Sequence, residues 1–131
     1  MRSRRQRMRR REFEELVLQA LEGLPPDIRR LIDNVEIVIE REPTIEQLEA
    51  AGIDPGSDET LFGLYEGVPL TERGVDYGLV LPDRITIFQG PLEELCESRE
   101  EMMREIRTTV VHELAHHFGI SDERLRALGY G

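Results

Sequence analysis

The chain has 131 residues with 17 basic and 27 acidic side chains, 39% hydrophobic and 34% charged residues, and one cysteine. That length fits a single domain with one core, and no apolar run approaches the roughly 18 residues of a membrane span. A lone cysteine, Cys96, excludes an intrachain disulfide and points to a reducing cytoplasm, with Cys96 itself expected to be a small buried apolar residue.

Charge is segregated along the chain. All basic residues are Arg, and seven of the 17 fall at Arg2, Arg4, Arg5, Arg7, Arg9, Arg10 and Arg11, leaving ten against all 27 acidic residues in the remainder. No apolar segment follows this basic stretch, so it is not a secretory signal. Residues 1–11 are expected to form a flexible tail that is solubilising or folds over the acidic body. Weak contact with nucleic acid or an acidic partner is the alternative, because seven charges can attract phosphate but cannot read a sequence. Residues 12–131 are expected to form the domain.

Glu12–Glu22 places Phe13, Leu16, Val17, Ala20 and Leu21 at helical spacing and is stopped by Gly23. Pro25-Pro26-Asp27 opens a short second helix to Leu31 or Ile32. Val35–Glu40 is β-branched and alternating, which predicts a strand. Ile45–Ala51 is a short helix with Thr44 and Gln47 in a capping pattern. Gly52–Thr60 is a loop, Leu61–Glu66 a second strand, Thr71–Gly78 polar and irregular, and Arg84–Gln89 a third strand ended by Gly90-Pro91.

Ser98 and Glu101 then mark the start of the best-specified helix, whose core stripe is expected at Met102, Met103, Ile106, Val110, Leu114 and Phe118. Glu105, Thr108 and Thr109 are expected to line a polar wall upstream of its ligand face. The helix ends in His112-Glu113-x-x-His116-x-x-Gly119-x-x-Asp122. Residues four apart on a helix differ by about 40° in azimuth, so His112 and His116 leave one face a turn apart. Two imidazoles so placed can reach one zinc ion at about 2.0–2.1 Å.

Glu113 lies roughly 100° around the helix from His112 and can flank the metal without ligating it. This is the pattern of a zinc-dependent hydrolase, most often a peptidase. Gly119 supplies a left-handed turn that could return Asp122 as a third ligand, with Glu123 in reserve. Ser121 or Asp122 could instead cap a short last helix. His117 projects roughly 120° from the bisector of the His pair and is read as packed or exposed.

The chain resembles the minimal zincin-like family of bacterial metallopeptidases. The likeness lies in Leu64-Tyr65-Glu66-Gly67-Val68-Pro69-Leu70-Thr71-Glu72-Arg73, in Leu81-Pro82-Asp83-Arg84-Ile85-Thr86-Ile87-Phe88-Gln89-Gly90-Pro91 and in the helix around His112, and it covers most of Phe13–Leu125. The resemblance implies an α+β, zincin-like fold, with a small mixed sheet of about three to four strands packed against helices that include the HExxH helix. It also implies Zn²⁺ held by His112, His116 and Asp122, with Glu113 as general base. A peptide or protein substrate is then expected, aligned by β-augmentation on an edge strand, for which Arg84–Gln89 or Leu61–Glu66 could serve. Tyr65, Tyr77, Tyr130 and Arg124 are candidate oxyanion donors by chemistry alone. The alternatives are a non-catalytic metal-binding or interaction domain, and a metal-dependent nucleic-acid hydrolase recruited by the Arg-rich tail; the acidic body opposes the latter by repelling phosphate.

Overall fold

The computed structural model describes residues 8–67 and 83–130. Residues 1–7 of the Arg-rich segment and the expected irregular stretch Thr71–Gly78, with Tyr77, lie outside the described residues. The first helix, α1 (Arg10–Glu22), starts two residues before the expected Glu12 and buries all five residues of its apolar stripe. Arg10 is thereby part of the folded body: its guanidinium donates to the Ile39 carbonyl and pairs with Glu14 one turn on, at 3.5 Å. Helix α2 (Pro26–Leu31) begins with Pro26 at a position where no backbone N–H is needed, and buries Ile28.

Strand β1 (Val35–Glu40) is followed by α3 (Ile45–Ala50), which has both halves of the expected capping box, Gln47 N–H to Thr44 Oγ1 at 3.0 Å and Thr44 N–H to Gln47 Oε1 at 2.9 Å. Strands β2 (Gly63–Glu66) and β3 (Asp83–Phe88) complete a three-stranded mixed sheet in the order β1-β3-β2. β1 runs parallel to β3, with Ile37 opposite Ile85, and β2 runs antiparallel to it, with Tyr65 opposite Ile85. The central place of β3 corrects one sequence expectation. Its backbone is bonded on both sides, so Arg84–Phe88 cannot accept a peptide by strand addition.

Gly90-Pro91 does not simply stop β3. It lies within the first turn of a further helix, α4 (Gln89–Leu95), which was not expected from the sequence. Pro fits there because the first turn of a helix has no internal partners for its N–H groups. Gly90 is required by crowding: a Cβ there would lie 2.8 Å from the Arg41 carbonyl oxygen, and the Gly90 N–H donates to that same oxygen at 2.9 Å.

Helix α5 (Arg99–Phe118) packs on α1 and the sheet, and α6 (Asp122–Ala127) follows it. Phe13, Leu16, Ile85, Ile87, Met102, Ile106, Val110 and Leu114 are fully buried in the shared core. Phe118, expected in the core stripe, is 46% exposed. Phe118 is the last residue of α5, beside the Gly119 turn, and its ring lies edge-on to Tyr65 and His117 instead. The buried face of α5 is wide enough to take in Val111 and Ala115 as well. Cys96 is buried as expected, and burial, reinforced by Glu101 and Glu105, pushes its thiol up to about 11.

One buried charge among the described residues sits on α4. Glu93 is 3% exposed and accepts from Gln89 Nε2 at 2.9 Å and from the Met8 N–H at 2.9 Å, while Arg41 approaches at 2.7 Å. Burial opposes its ionisation, yet the hydrogen bonds from Gln89, Met8 and Arg41, with the Arg41 charge, outweigh that cost and hold its carboxyl below the ordinary value. A lowered folded-state pKa stabilises the fold fully above the unfolded carboxylate value of about 4.3, and this contribution is lost as pH falls through the lower value. Urea midpoints measured from pH 7 to 3 should therefore drop below about pH 4.3, and the drop should be shallower in Glu93→Gln. Parallel curves for the two proteins would remove Glu93 from the acid response.

Candidate functional site

Ser98 caps α5 by accepting the Glu101 N–H at 3.0 Å, while the Glu101 carboxylate reaches past Ser98 to the Glu97 N–H at 3.0 Å. At the far end Gly119 takes the left-handed conformation (φ 69°, ψ 34°), and the Ile120 N–H returns to the Ala115 carbonyl at 3.1 Å. This is the turn expected from the Gly of the extended motif. Ser121 then caps α6 by accepting the Arg124 N–H at 3.1 Å, so Asp122 is the first helical residue and not the cap.

The turn folds α6 back beside the end of α5. His112, Ala115, His116, Ile120, Asp122 and Leu125 line one cavity of about 240 Å³. Both histidines and Asp122 are exposed, whereas Ala115 and Leu125 form its buried floor. Glu123, the reserve ligand, is not among the lining residues. Among the described residues no three His, Cys, Asp or Glu side chains stand close enough together to hold a metal ion.

The His112 Nε2 is engaged elsewhere, 2.9 Å from the Tyr130 carbonyl oxygen. A carbonyl only accepts, so this nitrogen carries the proton and must release both proton and partner before it can ligate through that atom. The segment that brings Tyr130 there turns at Gly129 (φ 90°) and is fastened by the Tyr130 N–H to the Leu125 carbonyl at 2.8 Å. By chemistry the donor set of two imidazoles and one carboxylate suits zinc, and an open cavity side leaves room for a fourth group.

Glu113 is half-buried on the neighbouring side of α5, facing β2. Its Oε1 accepts the Tyr65 N–H at 2.7 Å, a short charge-assisted bond. One turn earlier, β2 passes Thr109 so closely that a Cβ on Gly63 would lie 2.7 Å from the Thr109 Cγ2. One turn later, the Tyr65 ring stacks on His117 with centroids 4.0 Å apart and planes 19° from parallel. The Tyr65 hydroxyl donates to Asp83 Oδ2 at 2.8 Å, and His117 Nε2 lies 3.7 Å from the same oxygen. Phe118 closes the group edge-on, 6.1 Å from Tyr65 and 4.8 Å from His117.

The geometry thus gathers His112, His116 and Asp122 around one cavity and turns Glu113 toward β2. Of the candidate oxyanion donors, Arg124 is bonded to Asp27 and the Tyr65 hydroxyl to Asp83. Sequence reasoning did not identify the Tyr65 backbone or His117 as neighbours of Glu113. The available signal was Gly63, since Gly inside a strand marks a close backbone approach.

No curated protein matches the chain. Among solved structures, a conserved hypothetical protein from Thermo thermophilus is similar, with a TM-score of 0.51 at 23% identity, covering 89% of this chain and 96% of that one. That likeness bears on the fold alone. The family model described as "Zincin-like metallopeptidase" matches residues 32–131, which include β1 to β3, the HExxH helix and the Asp122 turn. On that match, the chain belongs to the zincin-like metallopeptidase family.

Proposed function

We propose that the chain is a zinc-dependent metallopeptidase that hydrolyses peptide bonds, with His112, His116 and Asp122 as metal ligands and Glu113 as general base. The observation that carries this reading is the single cavity lined by both histidines of the HExxH helix and by Asp122 beyond the Gly119 turn. When bound there, zinc would supply Lewis-acid polarisation of the scissile carbonyl and of the attacking water. Glu113 takes up the water proton at its carboxylate and passes it to the departing amine. Among the described residues β2 is the sheet edge beside Glu113, and its outward Tyr65 N–H is given to the Glu113 carboxylate, so β2 orients the base and is not assigned as the strand that pairs with the peptide. Buried Cys96 has no disulfide partner, in keeping with a cytoplasmic location, and no helix among the described residues is long and apolar enough to cross a membrane.

Elemental analysis of untagged protein, reconstituted with zinc and freed of excess, tests the ligand set. Wild type should hold close to one zinc per chain, His112→Ala should hold none, and Asp122→Ala should bind more weakly than wild type. A folded, reconstituted wild type without zinc would end the hydrolase reading. Wild-type zinc with an unaffected Asp122→Ala would remove Asp122 from the ligand set.

A further inference from the structure

Strand β2 and helix α5 run side by side in step. Two residues of strand advance about 6.6 Å and four residues of helix about 6.0 Å, so successive outward positions of β2 meet successive turns of α5. Gly63 meets Thr109 and the Tyr65 N–H meets Glu113. The Tyr65 ring then reaches the next turn, where it lies on His117. Glu113 is half-buried and has three side-chain torsions, so packing alone does not fix its carboxylate. Its hydrogen bond from Tyr65 N–H does, but only as firmly as β2 is held on α5. β2 has four residues and, among the described residues, a strand partner on one side only.

We propose that Tyr65 and His117 are positioning residues for Glu113: the stack of the Tyr65 ring on His117 pins β2 to α5, so that the Tyr65 N–H holds the Glu113 carboxylate in one orientation. Two contacts among the described residues bear most directly on the pin. The His117 ring holds the face of Tyr65, and Asp83, on the neighbouring strand, holds its hydroxyl at 2.8 Å. His117, which lies off the ligand face, thus acts on Glu113 through the strand and takes no part in holding metal. The consequence for turnover rests on the peptidase reading; the pin itself does not.

Amide hydrogen exchange, read by NMR on the full-length, metal-free protein, tests the pin without zinc or substrate. His117→Ala should raise the exchange rate of the Tyr65 amide about tenfold, the size expected from loss of one aromatic stack. The Leu16 and Ile106 amides, in the core of α1 and α5, should not change, because they open only with larger unfolding. His117→Phe keeps a ring but loses the nitrogen near Asp83, and should restore slow exchange at Tyr65. An unchanged Tyr65 amide in His117→Ala would overturn the proposal. So would a rise shared equally by Leu16 and Ile106, since that is general destabilisation. Zinc uptake by His117→Ala should equal that of wild type, and its loss would also overturn the proposal by making His117 a ligand. If no form of the protein takes up zinc, the peptidase reading fails while the exchange result still decides the pin.

Discussion

Glu113→Gln is expected to bind zinc as wild type does and to lose peptide hydrolysis by about 10²–10⁴-fold, the usual worth of a positioned general base. The substitution is chosen for what it preserves. A Gln carbonyl oxygen can still accept the Tyr65 N–H that meets Glu113 Oε1 at 2.7 Å, so the shape of the site and the seating of β2 should survive. What disappears is the proton acceptor. Turnover of an unstructured protein substrate, followed beside zinc content in the same samples, separates the possibilities. Equal turnover in Glu113→Gln and wild type would exclude Glu113 as the base, and zinc-loaded wild type without turnover would favour a non-catalytic metal-binding domain.

Leu114→Ala should destabilise the fold by about 2–5 kcal/mol, because a fully buried side chain is removed from the contact between α5 and the core. Leu114 follows Glu113 directly but points to the opposite side of the helix, away from the exposed imidazoles. Urea unfolding should show a lower midpoint with an unchanged slope, the sign of altered stability in an otherwise similar transition. Zinc content, measured well below the unfolding midpoint, should stay at the wild-type level. Phe118→Ala removes a larger side chain from a 46% exposed position and should cost less than Leu114→Ala. The reverse order would contradict the placement of Phe118 outside the core.

The elements legible in the sequence were those set by local chemistry. The Thr44–Gln47 box, the Pro26 helix start, the Ser98 cap and the Gly119 turn each depend on neighbours within a few residues, and each is found where expected. His112, His116 and Asp122 are joined by one helix end and one turn, and they line one cavity without forming a three-ligand cluster among the described residues. The misreadings came from two other sources. Phe118 was placed by running the stripe on to the last residue of α5, where the helix turns at Gly119 and the ring meets Tyr65 and His117. Helix α4 was hidden because Gly90-Pro91 reads as punctuation, although both residues suit a first helical turn packed against Arg41. The tether between Tyr65 and Glu113 spans 48 positions, and His117 is drawn into it by β2 alone. No local pattern encodes such a contact; only the crowding at Gly63 hinted at it.

The parallel pairing of β1 with β3 also governs when the proposed site can be assembled. Val35 must find Asp83, and α1 must then wait for α5 to cover its apolar face. Contacts so distant along the chain close slowly, and during synthesis they cannot form until the later partner has left the ribosome. Every residue assigned to the chemistry lies in that later part, from His112 to Asp122, while Tyr65 waits upstream on an edge strand with no helix beside it. A nascent or prematurely cut chain that lacks α5 therefore lacks both the cover of the core and the residues proposed for the chemistry.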